Sequence, residues 1–335
     1  MKPRLPLEQY IDGVLSGERA ILARAITMIE SNLARDRELG AKLLDALLPH
    51  TGRSMRVGIT GVPGVGKSTF IDVLGTHLIR ERGENVAVLS VDPSSPISGG
   101  SILGDKTRME RLAVEERAFI RPSPTRGHRG GVARHTREAI LLCEAAGYRN
   151  ILVETVGVGQ NETAVRSMTD FFLLLMLAGA GDELQGVKRG IVEVLDGMVI
   201  NKADGDNKLA AERARAEYAR ALHLLPASAD GWTPQVLTCS SVSGEGIAEI
   251  WQMVLAHHQL LNTNGFLPEL RSRQALEWMN ELTMIGLEEL FREHPAIVQR
   301  LAEVRDAVKR GRMSAFAASR ELLTLFHPEM EETKL

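Results

Sequence analysis

The spacing of apolar positions divides the chain into three zones. Over the first 52 residues, Ile21, Leu22, Ala25, Ile26 and Ile29 recur at helical spacing, and so do Leu39, Leu43, Leu44 and Leu47. From Arg53 to about Asn262, short and nearly continuous apolar runs alternate with amphipathic stretches. The runs at 55–60, 86–91, 151–155, 171–177, 197–201 and 236–239 predict strands buried on both faces of a parallel sheet. Helices predicted over 68–82, 132–147, 208–224 and 246–260 supply the crossovers between them. After Thr263-Asn264-Gly265 the pattern is helical to the end. The expected architecture is α/β with a mostly parallel sheet over 53–262, flanked by helical extensions at 1–52 and 263–335. The last zone carries Leu267, Leu270, Ala275, Leu276, Met279, Leu282, Ile285, Leu287, Leu290 and Phe291, more apolar surface than one helix face needs. A stripe of that size predicts an interface.

Composition narrows the class. Of 335 residues, 44% are hydrophobic and 25% charged, which excludes a mostly disordered chain. A net charge of −3 supplies no general attraction to nucleic acid or anionic membrane. Cys143 and Cys239 are far apart and form no CxxC pair, so a disulfide framework and a thiol-rich metal site are both disfavoured and a reducing cytoplasm is expected. The first 20 residues mix Lys2, Arg4, Glu8, Asp12 and Glu18 into their apolar positions, unlike a signal peptide. The longest apolar run, 171–178, is far below the roughly 20 residues that cross a bilayer.

Gly61-Val62-Pro63-Gly64-Val65-Gly66-Lys67-Ser68-Thr69 fits G-x-x-x-x-G-K-[ST] between a predicted strand and a predicted helix. Glycines let the backbone wrap a phosphate while loop and helix N–H groups face it. Lys67 is expected to reach the β and γ phosphates, and the Ser68 hydroxyl to take a position on Mg²⁺. Asn201-Lys202-Ala203-Asp204, at the end of another strand, points to guanine. A carboxylate accepts from the N1–H and 2-amino groups of guanine, whereas adenine presents no donors there and would leave Asp204 desolvated and unpaired. Asn201 is expected to hold either the loop or the base edge, and the Lys202 stem to cover the ring. Ser240, Ser241 and Val242 supply a second loop on the base side, with Ser240-Ser241 similar to the Ser-Ala of GTPases.

Carboxylates for the metal side are sought where strands end, because ligands of open α/β sheets bind at that edge. Asp92 follows 86–91, and Glu154 lies within Glu154-Thr155-Val156-Gly157, where the Gly157 amide can sense the γ-phosphate. Asp105 lies in a glycine-bounded loop that can close on nucleotide. Two further loops, 127–131 and 178–190, alternate glycine with charge; the second carries Asp182, Glu183, Gln185, Lys188 and Arg189. The nine histidines are scattered, and His128 with His135 lacks the cysteine or carboxylate company of a metal site.

The set GVPGVGKST, VDPSSP, GGSILGDKTRM, LLCEAAGY, VETVGVGQNET, AGAGDELQG and NKAD closely resembles the MeaB/ArgK/MMAA family of P-loop GTPases, chaperones of adenosylcobalamin-dependent methylmalonyl-CoA mutase. The resemblance runs over nearly the whole chain. It implies a P-loop GTPase domain of the SIMIBI class, with helical extensions and a homodimer built partly through the C-terminal arm. It also implies GTP/GDP and Mg²⁺ as ligands, with Lys67 and Ser68 at the phosphates and Asp92, Asp105 and Glu154 around the metal. Segment 178–190 becomes a third switch facing the mutase. Gln160 stands three residues beyond Gly157 rather than next to it, so slow, partner-stimulated hydrolysis is expected, with nucleotide state gating cofactor loading and protecting the mutase. Two competing classes remain: a P-loop kinase or transport ATPase, and a nickel-inserting metallochaperone GTPase.

Overall fold

The computed structural model describes residues 4–31, 33–91, 109–123, 131–155, 161–179, 189–224, 226 and 228–327. The chain forms two compact units, Met1–Ser272 and Arg273–Leu335.

The first unit opens with three helices, α1 (Leu7–Leu15), α2 (Arg19–Ile29) and α3 (Ala34–Leu47). Strands and helices then alternate: β1 (Met55–Gly61), α4 (Lys67–Arg82), β2 (Val86–Val91), α5 (Glu110–Ala113), β3 (Ala118–Ser123), α6 (Gly131–Ala145), β4 (Asn150–Thr155), α7 (Asn161–Arg166) and β5 (Phe171–Leu177). They continue through α8 (Arg189–Val192), β6 (Gly197–Asn201), α9 (Lys208–Leu222), β7 (Gln235–Thr238) and α10 (Ile247–Thr263) into α11 (Phe266–Glu293). The seven strands form one parallel sheet in the order β3-β2-β4-β1-β5-β6-β7. All six predicted strands are present, but β7 is an edge strand and partly exposed rather than buried on both faces. The seventh, β3, escaped prediction because Arg121 and Pro122 interrupt its apolar run; it is an edge strand paired with β2, and proline is tolerated at such an edge.

β1 lies at the centre, and the chain builds outward to β2 and β3 on one side before crossing to β5, β6 and β7 on the other. A crevice at such a reversal, beyond the carboxyl ends of the strands, is where open α/β sheets hold ligands. β2 and β4 are buried at every position, as strands covered on both faces require. The N-terminal helices share this core: Tyr10, Val14, Leu22, Ile26, Met28, Leu43 and Leu47 are fully buried in the same cluster as the sheet.

The amino edge of the sheet carries charge networks. Arg56 meets Glu144 through two bonds of 2.9 Å, and Glu144 also accepts from the Gly52 N–H at 2.9 Å and from the Ser54 hydroxyl. Arg271 donates to both Asp170 oxygens at 2.9 and 2.7 Å. Burial pushes the Asp170 carboxyl up, but Arg271, Arg56 and their hydrogen bonds prevail and hold it below the usual carboxylate range.

The second unit holds the rest of α11 with α12 (Pro295–Lys309) and α13 (Ala315–Phe326). Ile297, Val304 and Ala318 are buried, and Phe326 packs edge-on against Phe291 at 5.4 Å. Leu276, Met279, Met284, Leu287 and Leu290 of α11 are exposed. Among the described residues no helix is long and apolar enough to cross a membrane.

Candidate functional site

The carboxyl end of β1 starts the site. A Cβ at Gly61 would lie 2.4 Å from the Leu175 carbonyl oxygen of β5, so only glycine lets the chain turn there. Val62 and Val65 are buried and pin the loop, while Pro63 and Gly64 are exposed. Gly66, with a left-handed φ of 93°, delivers the chain into α4. That helix starts without a side-chain cap. Its first N–H groups, from Lys67, Ser68 and Thr69, precede the first intrahelical bond, Phe70 N–H to Gly66 O at 2.9 Å. Uncapped N–H groups beside a glycine-lined turn form a cradle suited to an anion. Lys67 curls back on the loop, its Nζ donating to Gly61 O at 2.9 Å and Val62 O at 3.5 Å.

Beside this cradle, the Ser68 hydroxyl donates to Glu154 Oε1 at 3.0 Å. Glu154, on β4, is buried, and its register partner on β1 is Ile59. A hydroxyl and a carboxylate side by side are hard oxygen donors, the type Mg²⁺ takes one or two of while keeping several waters. The donor set present fits that cation. Among the described residues no cluster of three or more His, Cys, Asp or Glu side chains is placed to hold a metal on its own.

The base side is assembled around Asn201, the last residue of β6. Its Nδ2 donates to the Val65 carbonyl at 2.8 Å, and its Oδ1 accepts from Lys202 N–H at 2.8 Å, Ser241 N–H at 3.3 Å and the Ser241 hydroxyl at 2.9 Å. Asn201 thus bonds the loop, one of the two roles open to it in the sequence. Cys239 adds a fourth donor to Oδ1 at 3.3 Å. Burial pushes its thiol up to about 12, so the sulfur stays protonated and able to donate. Sequence spacing does not single out Cys239; its only signal is its place at a strand end next to Ser240.

Among the described residues Lys202 is the non-glycine residue with positive φ, at 59°, and its Nζ donates to Gly64 O at 2.9 Å. Such a conformation costs on the order of 1 kcal/mol and is held here by bonds on both sides of the residue. Asp204 is half-buried; one carboxylate oxygen accepts from the Ser240 hydroxyl, and Oδ1 accepts no hydrogen bond from a described residue. The Ser240 oxygen accepts in turn from the N–H groups of Val242 and Ser243, at 3.3 and 3.1 Å. Ser240 and Ser241 are buried, whereas the Val242 side chain is exposed. This leaves a fixed carboxylate with spare acceptor capacity, which can take two parallel N–H donors from one planar ring edge.

The structure therefore brings together the 61–69 loop, Glu154, 201–204 and 240–242. Asp92, Asp105, Gly157, Asp182, Glu183, Gln185 and Lys188 lie outside the described residues. Arg189 is the first residue of α8.

A glycine-lined phosphate cradle at the switch point of a parallel sheet, facing a carboxylate base clamp, defines a P-loop nucleotide-binding protein. The sequence profile described as "Methylmalonyl Co-A mutase-associated GTPase MeaB" matches residues 22–296, and the chain belongs to this family of GTP-hydrolysing enzymes. It is 49% identical over 326 residues to a putative GTPase of Caulobacter vibrioides, covering 97% of this chain and 99% of that one. It is 52% identical to the GTPase ArgK of Escherichia coli K12 over 277 residues, 83% of each chain. The crystal structure described as LAO/AO transport system kinase superposes with a TM-score of 0.74 at 40% identity, covering 96% of this chain and 98% of that one.

Proposed function

We propose that this GTPase binds GTP across the crevice and acts as a nucleotide-gated chaperone of an adenosylcobalamin-dependent acyl-CoA mutase, methylmalonyl-CoA mutase or a close relative. The observation that carries the nucleotide part is the Asp204 carboxylate, fixed by Ser240 and still able to accept. Guanine supplies two donors for it; adenine supplies none. A P-loop kinase or transport ATPase has no use for that carboxylate.

In this reading the N–H groups of 64–69 and the Lys67 ammonium take the phosphates, and Lys67 exchanges its loop carbonyls for phosphate oxygens. Ser68 and Glu154, with Asp92 and Asp105, hold Mg²⁺, which when bound neutralises charge between the phosphates. Glu154 acts through Mg²⁺ or the attacking water, and the Gly157 amide senses the γ-phosphate. Hydrolysis needs little covalent work from the protein, so its rate depends on how well these groups are ordered. Slow intrinsic turnover, stimulated when the mutase orders 178–190 through Asp182, Glu183, Gln185, Lys188 and Arg189, follows from that dependence.

The reading includes a homodimer through the C-terminal arm. It is supported by the exposed row Leu276, Met279, Met284, Leu287 and Leu290, each at least 47% accessible, an apolar face that a single copy leaves in water. A reducing cytoplasm is supported by two cysteines that are both free and buried.

The test is the rate of GTP hydrolysis with and without methylmalonyl-CoA mutase. Stimulation of about tenfold or more, lost when Asp182, Glu183 or Lys188 is replaced by alanine while GDP affinity is retained, supports the chaperone assignment. An unchanged rate with the mutase contradicts it.

A further inference from the structure

The amino edge of the sheet, opposite the nucleotide crevice, holds a cavity of about 300 Å³, at the small end of the range for small-molecule sites. Three parts of the first unit meet there: the end of α1, the segment 48–54 that leads into β1, and the turn from α6 into β4. Leu15 and Ala145 give the cavity an apolar wall. Its acidic lining residue is Glu144, whose charge Arg56 already matches and whose two oxygens also hold the Gly52 N–H and the Ser54 hydroxyl. Arg53 and Arg149 line it as well, both exposed. Neither side chain makes a hydrogen bond or ion pair with a described residue. The lining therefore carries two guanidinium charges with no counter-ion among the described residues.

Tyr148 adds a buried donor to the same lining. The residue is 6% exposed, and its ring packs against Phe119 with centroids 5.8 Å apart. Its hydroxyl makes no hydrogen bond with a described residue. Burial pushes the phenol up to about 12, against the pull of Arg19, so the oxygen keeps its proton and can donate. Buried polar groups are nearly always partnered in folded proteins. A hydroxyl left over in a cavity beside two unpaired guanidiniums matches an anion.

The donors narrow the class of anion. Guanidiniums hold carboxylates and phosphates through paired N–H bonds. Two guanidiniums, a phenol and the His50 ring of the same lining offer more donors than the two oxygens of one carboxylate can use. A phosphate monoester presents three terminal oxygens and two charges. The cavity also has room beyond a phosphate group, and Leu15 and Ala145 line that room with apolar atoms.

We propose that this cavity is a second anion site, which binds a small phosphate monoester. Arg53 and Arg149 clamp the phosphate, Tyr148 donates to it from below, and Leu15 and Ala145 meet the body of the ligand. The length of β1, about 20 Å from Met55 to Gly61, separates this site from the P-loop, so both can be filled together.

The full-length protein is kept saturated with GDP, so that the P-loop is filled, and titrated with inorganic phosphate and with phenyl phosphate. Calorimetry reads affinity, and amide exchange over 50–54 and 147–150 reads location. Wild type is expected to bind phenyl phosphate with a Kd of about 1 mM or below, at least about threefold more tightly than inorganic phosphate, and to slow exchange in both segments. The double variant Arg53→Ala, Arg149→Ala is expected to lose at least about tenfold in affinity, and Tyr148→Phe about threefold to fivefold. Both arginines are exposed and unpaired, so the double variant is expected to fold and to bind GDP within about twofold of wild type. No saturable binding of either probe up to about 20 mM overturns the proposal. So does an affinity that the double variant leaves unchanged, which puts the anion elsewhere on the surface. The same protection from sodium chloride at equal ionic strength marks screening alone and overturns it too. Phenyl phosphate that binds more weakly than inorganic phosphate overturns the monoester.

Discussion

Asn201 and Val65, 136 positions apart in the chain, are joined by a hydrogen bond of 2.8 Å from the Asn201 amide to the Val65 carbonyl. That bond ties the 201–204 loop to the phosphate loop. Asn201→Ala removes it together with the acceptor shared by Lys202, Ser241 and Cys239. Leaving buried groups unpaired costs about 1–3 kcal/mol each. The expected outcome is a lower melting temperature without ligand and GDP affinity reduced by at least about tenfold, read by thermal melts and calorimetry.

Lys67→Ala removes the charge expected at the β and γ phosphates and should abolish most nucleotide affinity or turnover. Glu154→Ala should behave differently. It leaves the cradle intact and removes the partner of Ser68, so GDP binding is expected to survive while hydrolysis falls by about a hundredfold or more. Single-turnover hydrolysis with enzyme in excess separates the two effects.

Much of this arrangement is legible in the chain itself. Five strands stand out because nearly every position in them is buried, the edge strand β7 by a short apolar run alone, and the P-loop and Asn201–Asp204 because the backbone and the base each demand particular residues at fixed spacing. What stays hidden depends on partners distant in sequence. Arg271 reaches Asp170 and the carbonyls of Gly52 and Ser54, yet as a lone arginine on a helix it leaves no local pattern. Asp72 is hidden for the same reason, since an aspartate in mid-helix looks like any solvated position until the Leu112 N–H is placed against it. β3 is hidden because Arg121 and Pro122 break its apolar run, which its place at the sheet edge tolerates.

Arg271 also determines where the C-terminal arm can be removed. A chain ended at Asn264, the boundary suggested by the sequence, would strip buried Asp170 of the Arg271 guanidinium and leave it with the Arg56 N–H and charge, a loss of up to about 3–5 kcal/mol. A chain ended at Ser272 keeps that pair. It is expected to be monomeric in light scattering and to bind GDP like the full chain, whereas the full chain is expected to be a dimer at micromolar concentration.

Asp196 and His257 set an opposed pair of acid responses. Burial raises the Asp196 carboxyl to about 6, against the pull of Arg166 and the Phe172 N–H and with the push of Asp230 and Asp170. Burial lowers His257 to about 4, against the pull of Asp230 and Asp170. Folded Asp196 takes a proton before the unfolded chain does, so its contribution to stability grows as pH falls through about 6. For His257 the unfolded chain takes the proton first, and stability is lost as pH falls from about 6.5 towards 4. His257 Nε2 lies 3.8 Å from Asp196 Oδ1, so the two groups titrate as a pair, and in the wild type their opposed responses partly offset. Melting curves from about pH 7 to about pH 5 are expected to show Asp196→Asn losing stability more steeply than wild type and His257→Phe gaining it.

The most direct test of the account is a calorimetric titration of the wild type and of Asp204→Asn with GDP, ADP and xanthosine diphosphate. If Asp204 reads the guanine edge, wild type binds GDP at least about a hundredfold more tightly than ADP. Asp204→Asn then loses GDP affinity and gains xanthosine diphosphate, whose 2-oxo group accepts from the new amide. Wild-type affinity for ADP equal to that for GDP, or an Asp204→Asn variant that binds GDP like wild type, would contradict it.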